Sequence, residues 1–493
     1  MIFTPLALRG GVVLPNRIVL PAMVTRLSGE DGLVNDAIRA RYTRFAKGGA
    51  GLVVLEAMAV HQSKSGPLLR ISDDAFVPGL ADLAKRCHDA GPGKVFPQII
   101  HFLKISRSGW RQTVDMLSHA DLDAIVEAYG AAAERARRCG FDGVELHMAH
   151  AYTLSSFLSR MNARRDEYGG SLENRLRLPL RVIAEVRARV GEDFPIGVRF
   201  VGDECIRGGY TSLDAAVIAV RLARAGLDYV SLSAGGKFED ARHVEGEPLY
   251  PYTGYSGDRC MPSAAYPDGA NLPIAEAVTR AVRDAGLATP IVVAGKIGTL
   301  DLAERVLERG QGDLVGMARA LLADPDIPRK WKAGREETVV RCVYGNVCKA
   351  LDENFKRVVC TLWPKSLGAA PESDDAVPPE WPAAGASLAA EVAGGRVVLR
   401  WRAATDNEGV YGYELLRGDP GGVLLHYASI RAASLRFEDL RVVGGATYRY
   451  AIRPYDLAGN RGPLTPSIDV TVPDDFAPAR AATDATACVG VRS

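Results

Sequence analysis

Three side chains able to polarise an oxygen or move a proton fall close together in GVELHMAHAYTLSSFLSRMNARRDEYGGSLENR (143–175): His147, His150 and Tyr152. They end an apolar run that begins with Gly143, Val144 and Leu146. Polar groups at the end of a buried strand cost free energy unless something meets them. Imidazole and phenol groups can donate hydrogen bonds and exchange protons, so the cluster is a candidate for contact with a cofactor or substrate. A satisfied polar cluster and a metal pair are the competing readings, although no carboxylate stands at a ligand-like spacing. Elsewhere Arg199 interrupts an apolar run and needs an anionic partner if buried. Gln98, in another such run, can both donate and accept. A separate set of thiols, Cys342, Cys348 and Cys360, follows near residue 350.

Positioning these groups requires a scaffold, and the sequence repeats one unit. Eight short β-rich runs, at 17–23, 51–58, 94–100, 143–149, 196–202, 229–235, 291–297 and 314–321, are each followed by a longer helical stretch. Parallel strands joined by crossover helices over about 320 residues predict a (β/α)8 TIM barrel with loop insertions. An open doubly wound sheet fits less well, because no GxGxxG turn follows an early strand. In a barrel the chemistry sits at the carboxyl ends of the strands, where the two histidines fall. Gly295, Lys296, Gly316 and Arg319 come at the ends of the last two runs, the usual place for a phosphate site built from loop amides and a cation.

The bulk numbers bound the rest. With 60 basic and 59 acidic residues among 493, no net field points to nucleic acid or an anionic membrane. No apolar run reaches the roughly 18 residues of a membrane span. Eight cysteines are too few for a disulfide framework, and the N-terminus lacks the pattern of a secretion signal, so a cytoplasmic location is expected. Small molecules are the expected partners, and a homo-oligomer is compatible with the sequence. Residues 368–386, rich in Pro, Ala and acidic side chains, predict a linker. From 387 to 473 short alternating segments between Gly, Asp and Asn turns predict an all-β sandwich. The tail, 474–493, is expected to be flexible.

LPNRIVLPAM, GGAGLVVLEAMAVH, QIIH, the stretch quoted above, DFPIGVRF and GDLVGMARALLADPD together resemble the old yellow enzyme family of FMN oxidoreductases over roughly residues 1–365. The likeness is strongest to the branch with 2,4-dienoyl-CoA reductase and trimethylamine dehydrogenase. It implies FMN held by Ala22, Met23, Ala57, Gln98 and Arg199 around the ring and by Gly295, Lys296, Gly316 and Arg319 at the phosphate. It also implies that His147 and His150 bind a substrate carbonyl while Tyr152 donates a proton. Val24 stands where relatives carry a threonine or cysteine that tunes the flavin. Glu239 falls where dienoyl-CoA reductases can carry a histidine, which implies an altered proton relay. Asn174 and Arg175 read as structural. Tyr250, Tyr252 and Tyr255 lie in a long loop expected to shape the pocket. The sandwich resembles a fibronectin type III domain, with Trp401 and Tyr413 in its core and Tyr448 near the start of its sixth strand.

RCVYGNVCKALDENFKRVVC, within a segment spanning 341–367, resembles the branch's [4Fe-4S] pattern C-x2-C-x2-C-x11-C, but Gly345 occupies the second cysteine position. Three thiolates leave a [4Fe-4S] cluster one ligand short. A [4Fe-4S] cluster completed by water, a carboxylate or a distant residue, a [3Fe-4S] form, a zinc site completed elsewhere and simple buried remnants remain open. No dinucleotide fingerprint follows, so reducing equivalents are expected from diffusible NAD(P)H or an electron-transfer protein. The resemblance implies an ene-reductase of an α,β-unsaturated carbonyl or enoyl-CoA, carried by a barrel at 1–340. Oxidative N-demethylation as an amine dehydrogenase, and a non-catalytic flavoprotein scaffold, are the alternatives.

Overall fold

Each of the eight β-rich runs forms a strand whose side chains alternate between the barrel interior and the surrounding helices. A computed structural model describes residues 1–62, 66–104, 112–239, 257–363, 370, 372–373 and 375–475. Strands β1 (Ile18–Leu20), β2 (Leu52–Ala59), β3 (Lys94–Ile100), β4 (Val144–Met148), β5 (Ile196–Val201), β6 (Tyr229–Ser233), β7 (Ile291–Ala294) and β8 (Leu314–Gly316) pair in chain order, and β8 closes on β1. All eight pairings are parallel. The helices between them are α1 (Asp36–Lys47), α2 (Val77–Ala90), α3 (His119–Arg138), α4 (Thr153–Leu158), α5 (Leu172–Val190), α6 (Ser212–Arg224), α7 (Leu272–Asp284) and α8 (Leu300–Glu308). This is the expected TIM barrel. Residues Met1–Ala370 form one compact unit, so the cysteine segment belongs to the barrel, and Pro371–Ser493 form a second.

Two large rings fill the barrel floor. Phe96 and Tyr229 lie 6.0 Å apart and cluster with Leu52, Val54, Val292 and Leu314. They fit because their neighbours lack side chains: a Cβ on Gly143 would lie 2.3 Å from Phe96 Cζ, and one on Gly197 2.1 Å from Tyr229 Cζ. A bulge in β2 between Leu55 and Ala57 then changes the phase of the strand. Ala57 consequently faces the upper interior, while Glu56 turns to Thr25 and Tyr42.

The eighth run does not behave as one element. Its strand stops at Gly316, and the helix α9 (Ala318–Ala323) begins two residues later. Arg319 therefore stands on a helix, not at a strand end. Two further helices, α10 (Ile327–Lys332) and α11 (Val347–Glu353), follow.

In the second unit β9 (Ala389–Ala393), β10 (Arg396–Arg400), β11 (Val410–Gly418), β12 (Leu425–Arg431), β13 (Arg436–Asp439), β14 (Thr447–Asp456) and β15 (Ile468–Thr471) form two antiparallel sheets, ordered β9-β10-β13 and β12-β11-β14-β15. Val397 and Leu399 from one sheet and Leu415, Tyr450 and Ile452 from the other share a core with Trp401 and Tyr413. Tyr448 accepts a hydrogen bond at its hydroxyl from Val443 N at 3.0 Å. Among the described residues no helix is long and apolar enough to cross a membrane.

Candidate functional site

Parallel register brings residues from different strands to one height. Gln98 is level with Glu145, Glu145 with Gly197, and Gly197 with Tyr229; two residues higher, His147 is level with Arg199 and Arg199 with Ser231. Above them a cavity of about 1010 Å³ opens at the carboxyl ends of the strands. Ala22, Met23, Val24, Ala57, Gln98, His147, His150, Tyr152, Arg199, Gly295, Lys296, Gly316 and Arg319 all border it. Thirteen positions scattered over some 300 residues thus meet at one place.

Beneath the cavity lies a buried polar floor. Gln98 Nε2 donates to Glu145 Oε1 at 2.6 Å, and the Tyr229 hydroxyl donates to Glu145 Oε2 at 2.9 Å. Burial pushes the Glu145 carboxyl above its ordinary value, against the opposing pull of Arg199. Arg199 itself donates from Nη1 to Ser231 Oγ at 3.1 Å. Glu145 was not among the sequence-predicted site residues, although an acid between Val144 and Leu146 was a legible signal.

On one wall His147 and His150 contact each other, Nε2 to Nδ1, at 3.2 Å. His150 Nε2 lies 2.7 Å from Ser233 Oγ and 3.1 Å from Cys260 Sγ. Desolvation, reinforced by the Arg199 charge, lowers the His147 pKa to about 3. Burial, its imidazole neighbour and Arg199 bring His150 well below the usual value. Both rings are therefore neutral near pH 7, and each presents one N–H. Tyr152 meets the His147 ring edge-on with centroids 5.1 Å apart, and the Lys237 ammonium sits 4.0 Å over the Tyr152 ring. His150 and Ala151 adopt left-handed backbone, φ 59° and 58°, at the point where His150 bridges to Gly236. Such a conformation in non-glycine residues persists only where surrounding structure enforces it. Here the enforcing contact is close, since a Cβ on Gly236 would lie 2.9 Å from His150 Cα.

The opposite end is cationic. Lys296 Nζ donates to Ala264 O at 3.4 Å and to Tyr266 O, and Arg319 Nη1 donates to Pro262 O at 2.7 Å. Gly295 (φ 139°) and Lys296 (φ 55°) make the turn after β7, and a Cβ on Gly316 would press to 3.1 Å on both Ala294 and Pro21. The backbone itself forms that wall.

Other sequence-predicted residues lie elsewhere. Glu239 is fully buried and does not border the cavity; it accepts from the backbone amides of Gly236 (3.0 Å), Arg259 (2.9 Å) and Cys260 (3.4 Å) and so ties the loop after β6 together. The carboxylate thus clamps backbone at the position where an altered proton relay is expected. Arg175 donates to Leu158 O at 2.7 Å and Asn174 to Gly169 O at 3.0 Å. Tyr250, Tyr252 and Tyr255 lie outside the described residues. Of Cys342, Cys348 and Cys360, only Cys348 borders the cavity. Burial raises the pKa of Cys342, Cys348 and Cys360, the last to about 12.

The model of the NADH:flavin oxidoreductase / NADH oxidase family matches residues 1–242. An NADPH dehydrogenase from Geobacillus sp. is 33% identical over 344 residues, covering 66% of this chain and 92% of the relative. The chain belongs to this family. Within the family, cinnamate reductase from Clostridium sporogenes is 29% identical over 400 residues, covering 72% of this chain and 56% of that protein. The family member here spans about half the length of several curated relatives it matches. Among solved structures, a 2-naphthoyl-CoA reductase complex superposes with a TM-score of 0.65 at 23% identity, covering 77% of this chain and 60% of that one, which supports the barrel fold.

Proposed function

We propose that this protein is an FMN-dependent oxidoreductase that reduces the C=C bond of an α,β-unsaturated carbonyl or enoyl-CoA. The observation that carries it is the neutral His147–His150 pair beside Tyr152 on the cavity wall. The cavity suits FMN in three respects. Its volume is at the upper end of the about 300–1,000 Å³ usual for ligand sites. Its floor offers Gln98 and Arg199 to a polar ring edge, and its far end offers Lys296 and Arg319 to a phosphate. Ala22, Ala57, Gly295 and Gly316 bring backbone close without bulk, and Met23 borders the same space. FMN bound there would supply the hydride.

The chain's own groups complete the reaction. The imidazole N–H donors of His147 and His150 are held in place before any charge appears, which is the condition for stabilising an enolate oxygen as it develops. Tyr152 delivers the proton to the α-carbon. Neutral rings matter, since a neutral imidazole donor withdraws charge without competing as an acid. Reducing equivalents come from NAD(P)H or from an electron-transfer protein. No electron step is assigned to the cysteine segment, which lacks a fourth thiolate.

Amine oxidation is disfavoured by charge. Arg26, Lys104, Arg199, Lys237, Lys296, Arg319 and Lys349 border the cavity against the carboxylates Glu30 and Asp352, the latter paired with Arg26; the border is cationic on balance, no tryptophan lines it among the described residues, and a cationic amine would meet net repulsion. A non-catalytic scaffold would bind FMN and never pass on electrons. Anaerobically photoreduced protein mixed with cyclohexenone or an enoyl-CoA, and oxidised protein mixed anaerobically with a series of methylated amines, separate the three readings. Reoxidation by the unsaturated carbonyls and no bleaching by the amines is expected; bleaching by an amine would favour amine oxidation, and no response in either arm would favour the scaffold.

A further inference from the structure

The segment from Cys342 to Cys348 contacts both cations of the cavity's far end. Lys296 Nζ sits 4.9 Å from the centroid of the Tyr344 ring, and Arg319 Cζ sits 4.9 Å from the same centroid. Two residues on, Asn346 Oδ1 accepts from Arg319 Nη1 at 2.6 Å while its Nδ2 donates to Met261 O at 2.7 Å. Tyr344 O accepts from Ala264 N at 3.1 Å, and Ala264 O in turn accepts from Lys296. Tyr344 and Asn346 both hold left-handed backbone, φ 50° and 55°. Two non-glycine residues in that region mark a loop whose shape is imposed for a purpose. The purpose legible in the contacts is to aim one aromatic face and one amide at Lys296 and Arg319.

Like charges brought together in a cavity repel, and each also loses hydration. Lys296 is partly offset by the exposed Asp268 carboxylate at 3.5 Å, and the aromatic face offsets part of the remaining cost without neutralising Arg319. Arg319 still has Nε and Nη2 without a protein acceptor among the described residues. That is an anion site with donors unsatisfied and a ring to steady them.

We infer that Tyr344 and Asn346 are positioning residues for the phosphate of the cofactor, and that the incomplete cysteine segment acts as a brace on Lys296 and Arg319 instead of as a metal holder. This rests on the FMN reading above. Apoprotein is titrated with FMN and with riboflavin, which share the ring and differ in the phosphate, by quenching of flavin fluorescence. Tyr344→Leu removes the ring, and Asn346→Gly removes the amide while tolerating the backbone. Each is expected to weaken FMN by roughly tenfold and leave riboflavin within about twofold, as loss of one phosphate-end contact requires. Tyr344→Phe, which keeps the ring, should match the parent, and chelation of any iron should leave the FMN-to-riboflavin ratio unchanged. Equal weakening of both flavins, no weakening of either, or a ratio that collapses on chelation overturns the brace. Parent protein that binds neither flavin overturns the FMN reading and the brace with it.

Discussion

His147 Nε2 and His150 Nδ1 stand 3.2 Å apart, and one proton is shared along that line. The direction follows from the neighbours. Ala149 N–H points at His147 Nδ1 (3.3 Å), which leaves the His147 proton on Nε2, donating to His150. His150 then carries its proton on Nε2, toward Ser233 Oγ. A substrate oxygen must therefore take over a donor that already has a protein acceptor, and His150, with the left-handed backbone, sets the geometry of that exchange. Asparagine tolerates left-handed φ and keeps an N–H donor, whereas leucine supplies neither. His150→Asn should hold kcat/KM for an unsaturated carbonyl within about tenfold, and His150→Leu should lose about 10²–10³-fold, mostly in kcat. Leucine performing as well as asparagine would remove the donor role.

Tyr152 shares its surroundings with a cation, Lys237, over its ring. A phenol that supplies a proton only after hydride arrives affects one half of the turnover. Tyr152→Phe should slow reoxidation by the unsaturated substrate by about 10²–10⁴-fold and leave reduction by NAD(P)H unchanged. Stopped-flow traces of the two half-reactions decide it; equal slowing of both would make Tyr152 a packing residue.

The barrel floor predicts a steric cost. Gly197 faces the rigid Tyr229 ring, with Cζ 2.1 Å and Cε1 2.3 Å from where a Cβ would stand. Neither ring nor backbone can yield without moving Glu145, to which Tyr229 is hydrogen-bonded. Gly197→Ala should destabilise by about 1–3 kcal/mol or more in urea unfolding. A change below about 0.5 kcal/mol would mean that the floor relaxes freely.

Much of this site was readable from the sequence because each predicted residue sits within or just beyond a run of alternating or β-branched residues. His147, Arg199 and Gln98 are polar interruptions of apolar strands, and parallel pairing in chain order was enough to bring them together. The 314–321 run failed to divide correctly, since a short apolar stretch reads alike as strand or helix. Leu6–Ala7, Val13–Leu14, β9 and β12 left little signal, β9 and β12 because their exposed faces show no clear alternation. Cys260 and Lys237 reach the cavity through a loop, where position depends on distant contacts and no local periodicity exists. Tyr344 and Asn346 were hidden inside a motif that drew attention to its cysteines.

Glu56 gives a pH signature. Burial raises its pKa from 4.5 to about 7, against hydrogen bonds from Thr25. A folded-state value above the unfolded one means that the stabilising contribution is complete below pH 4.5 and is lost as pH rises through 7, by up to about 3 kcal/mol. Glutamine cannot ionise. The melting temperature of Glu56→Gln relative to the parent should therefore rise steadily between about pH 5 and pH 8. A difference independent of pH would show that Glu56 is charged throughout.

Gly345 offers the converse of Gly197. A Cβ there would meet no atom within 4 Å, and the backbone does not require positive φ, so a side chain fits without strain. Cysteine at this position supplies the fourth thiolate of the pattern that Cys342, Cys348 and Cys360 begin. Gly345→Cys should fold with stability within about 0.5 kcal/mol of the parent. After anaerobic reconstitution with iron and sulfide it should bind more iron and acid-labile sulfide per chain than the parent, with the broad visible absorption of a cluster. Because Tyr344 and Asn346 are themselves unaltered, discrimination between FMN and riboflavin should survive the change. Iron content no higher than that of the parent would mean that the segment's geometry, and not the missing thiol, is what keeps a cluster out.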